Sequence, residues 1–199
     1  MYTLILDTAE RNLGVLLAKN DKIVDYISYP AFRKQSELLV EELDRLMKKN
    51  EIEYNEIESI YINNGPGSYT GVRMSLAVAK TLSFIYPINV FLVSSLLAQT
   101  GLTKLRTLSL IDARAGRYYF AVYEKGVLKG EEKVISAEDL KKFLIKNRSI
   151  RVVSNSSLDG CEIIEPLHGV LGIFEVLSLC DKVDDSLRVE PFYFKEAVS

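Results

Sequence analysis

Histidine occurs once in this chain of 199 residues, cysteine twice and tryptophan not at all. Each shortage closes a class of chemistry. A lone His168 cannot form a two-histidine metal site or an H-E-x-x-H protease centre; it lies beside Gly169 in an expected loop, as a solvated or capping side chain. Cys161 and Cys180 are too few and too far apart for a disulfide framework or a zinc site, so both are expected to stay thiols in a reducing compartment. No run approaches the length of apolar sequence that crosses a membrane. The start, MYTLILD, reaches an aspartate without the basic and long apolar regions of a secretion signal, and a cytoplasmic location is expected. A charge excess is missing too: 25 Lys and Arg stand against 27 Asp and Glu, for a formal charge of -2. Tight nucleic-acid binding therefore has no general electrostatic drive, and would need a local basic patch. With five prolines and no Pro/Ser-rich tract, any domain boundary is a short connection. What the chain has is 48% hydrophobic residues, enough for one large domain or two small lobes.

The first positive signal is a repeat. "LILDTAERNLGVLLAKNDKIVDYIS" reads as a strand ending at Asp7, a turn over residues 9–12, a strand over 13–19, a turn at Asn20 and Asp21, and a third strand over 22–28. "LSLIDARAGRYYFAVYEKGVLKGEEKVIS" repeats the plan, with a strand ending at Asp112, a turn containing Gly116, a strand over 118–124, a turn at Lys125 and Gly126, and a third strand from Val127. Asp112 follows Asp7 by 105 residues, and the turn pairs Asn20/Asp21 and Lys125/Gly126 share that offset. Two landmarks with one offset indicate duplication.

Helical signals follow each meander. "SELLVEELDRLMKKN" places Leu38, Leu39, Leu43, Leu46 and Met47 on one side, with a Ser36 cap, early acids and late lysines. A short strand is expected over 59–63, a helix from about Tyr69 to Tyr86 stopped by Pro87, a strand over 89–93, and a small-residue helix opened by Ser94 and ending near Gly101. In the second half, Ser136 and Asp139 resemble a capping box ahead of a helix. A strand over 150–154, an apolar piece over 161–164, a helix over 171–180 and a closing strand near 191–194 complete it. Each half reads as a mixed sheet covered by helices.

"NNGPGSYTGVR" poses the chemical question. A phosphate loop of the Walker type needs Lys and Ser or Thr after its last glycine, but Val72 and Arg73 follow Gly71. The dinucleotide fingerprint needs G-x-G-x-x-G, whereas Gly65, Gly67 and Gly71 are one residue too wide. A helix dipole contributes about 0.3–1 kcal/mol, about 2 at most when partly buried, against about 8 kcal/mol for micromolar binding. Ser68, Thr70 and Arg73 are the only nearby additional partners. The weightier reading is structural: the glycines allow close packing, and Ser68 or Thr70 caps the helix. That helix is apolar nearly all round through Val72, Met74, Leu76, Val78 and Leu82, so it needs covers on two sides, of which one is another part of the chain or another protein.

"LDTAERNLGVLL", "NNGPGSYTGVRMSLAVAKTL", "IDARAGRYYFAVY" and "VEPFYF", in this order, resemble the bacterial TsaB (YeaZ) family across the whole chain. The resemblance implies an α/β, two-lobed actin-like (ribonuclease-H-like) fold with mixed five-stranded sheets and a reduced second lobe, here 1–101 and 102–199. It also implies a part in making threonylcarbamoyladenosine in tRNAs that read codons beginning with A. In that family the chain is a non-catalytic partner of the related transferase TsaD, with the ATPase TsaE joining the complex, and it also forms homodimers. ATP and magnesium would belong to TsaD or TsaE, tRNA would be met through the complex, and this chain would need no cofactor of its own.

Residues can be set against that expectation. In TsaD-type relatives an H-x-x-x-H pair holds a metal, and the matching positions here are Ser95 and Gln99, poor transition-metal ligands. Asp7 and Asp112 stand where actin-like phosphotransferases place cleft carboxylates for magnesium and nucleotide; strand-end aspartates also make Asx-turns, which is the favoured role. Arg114 and Arg117 are candidates for tRNA or partner contact. Gln35 replaces a histidine common in the family. The expected docking surface is the pair of first-lobe helices, through Leu39, Leu43, Leu46, Met47, Val72, Met74, Leu76, Val78 and Leu82, where Leu39→Glu or Val78→Glu should block association. Asp7, Gly65, Gly67, Ser68, Thr70, Arg73 and Asp112 are the nucleotide-facing remnants. The rival is a small actin-like ATPase or phosphotransferase using Asp7 and Asp112; a peptidase lacks any paired base and nucleophile.

Overall fold

The computed structural model describes residues 1–31, 34–158 and 161–192. Alternation of apolar residues builds the first sheet. β1 (Tyr2–Asp7) pairs antiparallel with β2 (Asn12–Lys19), which pairs antiparallel with β3 (Lys22–Pro30). β4 (Ile57–Asn63) joins the other side of β1 in parallel, and β5 (Asn89–Val93) joins β4 in parallel, for the order β3-β2-β1-β4-β5. Leu4, Leu6, Leu13, Val15, Leu17, Ile60 and Ile62 face one side, and Ile5, Leu16 and Ala18 the other. β1 and β2 are almost continuously apolar because both faces are covered.

On the first face lie α1 (Gln35–Lys49) and α2 (Tyr69–Ile85), side by side. α1 begins at Gln35, whose amide donates to the carbonyls of Glu10 and Arg11, both at 3.0 Å; the expected Ser36 cap lies outside the described side chains. On the second face lies α5 (Gly169–Glu175), with Val170, Ile173 and Val176 against Ile5 and Leu16.

The second sheet repeats the topology. β6 (Thr107–Arg114) pairs antiparallel with β7 (Arg117–Glu124) and in parallel with β10 (Arg151–Ser154), which pairs in parallel with β11 (Ile163–Ile164). The third meander strand is split into β8 (Val127–Leu128) and β9 (Lys133–Ser136), both on the same edge of β7, so six strand segments stand where five strands were expected. The interruption falls at Lys129–Glu132, where Gly130 takes φ +96°. α4 (Ala137–Lys146) covers one face, capped by the Ser136 hydroxyl accepting from the Asp139 amide. α3 (Ser95–Ala98) covers the other, with Leu96 against Ile111, Ala121 and Tyr123, so this one-turn helix sits between the two sheets.

The expected boundary at 101/102 falls in the connection between α3 and β6, five residues ahead of Thr107, but the chain does not stay in the second lobe after it. From His168 it returns to the first lobe, as α5 and then a strap in which the Val183 amide donates to the Val90 carbonyl (2.9 Å) and Lys182 bridges Phe91. Further on, the Leu187 carbonyl accepts from Lys80 (2.8 Å) and Ser186 meets Ser83 (2.8 Å). The long helix expected over 171–180 breaks after Glu175 into a 3-10 turn over Leu177–Leu179. The closing strand expected near 191–194 falls largely outside the described residues, and Pro191 and Phe192 are not in a strand.

Candidate functional site

Parallel pairing brings the carboxyl ends of β1 and β4 together, so Asp7 and Asn63 emerge side by side. Asp7 is 2% exposed. Its Oδ1 accepts from the Ala9 amide (2.8 Å), an Asx-turn, and its Oδ2 accepts from Asn63 Nδ2 (3.2 Å). Asn63 Oδ1 in turn accepts from the Gly65 amide (3.0 Å) and the Ser95 hydroxyl (2.7 Å). Burial pushes the Asp7 carboxyl up to about 7, Glu10 adds to the rise, and the Ala9 and Asn63 hydrogen bonds oppose it. His168 Nδ1 lies 3.7 Å from Glu10 Oε2, which raises the imidazole above its ordinary value against partial desolvation. Gly169 closes this end: a Cβ there would lie 3.7 Å from Asp7 Oδ2.

The glycine loop is packed onto the turn after β1. A Cβ on Gly67 would stand 2.3 Å from the Ala9 carbonyl oxygen, and one on Gly71 1.8 Å from that of Thr8. Both contacts are with backbone, so glycine is required by proximity. Three amides of this stretch are engaged within the chain: Ser68 N donates to Ala9 O (2.6 Å), Gly71 N to Ser68 Oγ (3.2 Å) and Val72 N to Ser68 O (2.9 Å). Thr8 Oγ1 donates to Gly71 O (2.7 Å) and meets Ser75 Oγ at 2.5 Å. Thr70 is exposed, and Arg73 donates to the Tyr69 hydroxyl (2.8 Å) with its guanidinium over that ring. The loop bends and anchors a backbone.

Asp112 is exposed and accepts from the Arg114 amide (2.7 Å), the counterpart of the turn at Asp7; no hydrogen bond or ion pair joins it to the Asp7 cluster among the described residues. Arg114 and Arg117 are exposed at the hairpin tip. Ser95 is taken up by Asn63, and Gln99 Nε2 donates to Ser109 Oγ (2.6 Å) and the Leu110 carbonyl (3.1 Å). These neutral groups, already engaged, do not fit a transition metal, and no group of three His, Cys, Asp or Glu among the described residues could hold a metal ion.

The expected docking residues need correction. Leu39, Leu43, Leu46, Met47, Val72, Leu76 and Leu82 are at most 9% exposed, and Met74 and Val78 are half-buried against the same core. α1 and α2 spend these stripes on the sheet and on each other, and the strap takes one flank of α2 through Val183, Val189, Lys80 and Ser83. What remains outside is a stripe the sequence reading missed: Thr70, Arg73, Ala77, Thr81 and Phe84, with Tyr69 and Ile85 beside it and Val40 exposed on α1. Phe84 is 76% exposed and Ile85 60%. The three-and-four spacing of that stripe was present in the sequence, hidden because both sides of α2 are apolar.

Comparison with known proteins bears on this geometry. The TsaD family model, described as tRNA N6-adenosine threonylcarbamoyltransferase, matches residues 29–148. The chain is 29% identical to the tRNA threonylcarbamoyladenosine biosynthesis protein TsaB of Bacillus subtilis, over 86% of this chain and 79% of that protein. It is 31% identical to the TsaB of Escherichia coli, over 66% and 60%, and 27% identical to the uncharacterized protein MG208 of Mycoplasma genitalium, over 100% and 97%. In three dimensions it resembles YeaZ from Pseudomonas aeruginosa with a TM-score of 0.76 at 19% identity, covering 97% of this chain and 99% of that one.

Proposed function

This chain belongs to the TsaD-related TsaB (YeaZ) family and acts in tRNA threonylcarbamoyladenosine biosynthesis, and from that premise we propose that it is the non-catalytic subunit, docking on the transferase TsaD through the outer stripe of α2. The observation that carries the reading is the stripe itself. Tyr69, Phe84 and Ile85 are large, apolar and exposed, on a helix whose inner face is already committed to the core. Burying such a surface against a partner drives association, and a stable interface would cover more than about 1,000 Å². A second copy of this chain competes for the same stripe as a homodimer, and TsaE joins the heteromeric complex. ATP and magnesium act on the partner: in this chain three of the loop amides are engaged internally, the Asp7 carboxyl is buried and hydrogen-bonded to Ala9 and Asn63, and Asp112 is held in a turn of its own by the Arg114 amide. The proposed site of action is the cytoplasm, with the tRNAs that the complex modifies.

Co-purification with TsaD, followed by a tRNA modification assay with and without this chain, tests the reading. Modification is expected to need the chain, and Phe84→Glu is expected to abolish both co-elution and modification while circular dichroism stays unchanged. Micromolar Mg-ATP binding by the chain alone, lost in Asp7→Ala, would instead favour the ATPase reading.

A further inference from the structure

The total charge of -2 conceals an asymmetry. Residues 102–152 hold twelve lysines and arginines against six aspartates and glutamates, a surplus of six positive charges. The fold gathers part of that surplus at one end of the second lobe. β6 and β10 are parallel, with Arg151 opposite Thr107, so the residues entering both strands lie together. Lys104 and Arg106 lead into β6, while α4 ends at Lys146 and passes through Arg148 into β10. All four are exposed, and none makes an ion pair among the described residues. Lys129 arrives at the same end, its amide donating to the Val122 carbonyl (2.7 Å) opposite Leu108.

Where β8 and β9 part, the sheet is left with an open groove of about 570 Å³. Phe120, Val122, Ile135 and Phe143 form its apolar floor, and Arg106, Lys129 and Lys133 its rim, with Glu131 the lining acid. The rim lysines are held only loosely, Lys129 at 3.6 Å from Glu124 and Lys133 at 3.9 Å from Glu131, and the Lys133 ammonium stands over the Phe120 ring. We infer that this basic end is an RNA contact, in which the cations follow the phosphodiester backbone and the apolar groove takes one unstacked nucleotide. Phosphates are neutralised by clustered Lys and Arg, and aromatic or apolar floors accept base faces whatever their sequence. An acidic protein would satisfy the rim equally but has no use for a nucleotide-sized groove, which lies within the ordinary volume range of small-ligand sites. The inference deepens the reading that the chain serves tRNA modification, by giving the chain its own hold on the substrate.

Filter binding of the full chain to a tRNA transcript, across a range of salt, tests it. Binding should weaken with salt by about 0.7–0.9 log units per log unit of salt for each phosphate neutralised. Arg106→Gln, Lys129→Gln and Lys133→Gln together should lower the slope by about 2 to 3, whereas Lys19→Gln and Lys48→Gln on the first lobe should leave it unchanged. Unaltered RNA binding in the triple variant, no binding by the wild type at low salt, or equal competition by polyglutamate would overturn the inference. TsaD co-elution measured on the same samples keeps the two ideas apart: RNA binding without TsaD sinks the docking reading alone, and TsaD binding without RNA sinks this one alone.

Discussion

Gly71→Ala separates a loop that bends from a loop that binds. By intrinsic helix preference the change is favourable, since alanine in place of a helical glycine adds about 1 kcal/mol. The structure reverses the sign. The new Cβ would stand 1.8 Å from the Thr8 carbonyl oxygen and 2.8 Å from its carbon, distances no backbone tolerates, so either the turn after β1 or the start of α2 must move. Inserting a methyl into packed surroundings costs about 1–3 kcal/mol. The displacement also threatens the Thr8 hydroxyl bond to the Gly71 carbonyl, another ~1 kcal/mol. Against the propensity gain, the net loss is about 2 kcal/mol. In urea unfolding, with m of about 1–3 kcal/mol/M for a domain of this kind, the midpoint should fall by about 1 M. Ala77→Gly, on the exposed side of the same helix, calibrates the experiment with a loss of about 1 kcal/mol. A midpoint for Gly71→Ala equal to or above wild type would refute the close-approach argument, and loss of nucleotide binding at unchanged stability would restore the phosphate cradle.

Acidity gives a second handle. The Asp7 carboxyl is raised to about 7 in the folded state, so the native protein holds a proton that the unfolded chain releases near 4. Unfolding free energy should therefore fall as pH rises from 4 to 7, and chemical denaturation of Asp7→Asn should show a flatter profile across that window. The raised His168 contributes in the same direction at higher pH: its pairing with Glu10 stabilises fully below about 6.5 and fades as the imidazole loses its proton. His168→Ala should remove that upper part of the slope. Packing supplies a third test. Leu39 is 0% exposed, so Leu39→Ala should cost about 2–5 kcal/mol and Leu39→Glu should leave little folded protein to assay, whereas Phe84→Glu should unfold at the wild-type midpoint and still fail to bind TsaD.

Local chemistry made most of the fold legible. Each meander makes its first turn at Asp7 or Asp112, the Asn20/Asp21 and Lys125/Gly126 pairs take the positive φ that two-residue hairpins demand, and Ser68, Ser94 and Ser136 cap the helices that follow them. The site was legible only as residue types. Gly67 and Gly71 leave both a phosphate loop and a tight packing point open in the sequence, the second the weightier, and what distinguishes the two is the position of the Thr8 and Ala9 carbonyls, which belong to the turn after β1.

What the sequence by itself determined is the duplicated sheet, because strand alternation, turn residues and caps act over a few neighbouring positions and need no distant partner. Which side of each helix faces solvent was decided by tertiary structure. α2 is apolar nearly all round, so its inner face could be assigned only once α1, the sheet and the strap over 182–189 had taken their places on it. The return of α5 to the first lobe and the gathering of Lys104, Arg106 and Arg148 at one end of the second belong to the same class. Both depend on contacts between residues far apart in the chain, and a pattern read along the chain carries no record of them.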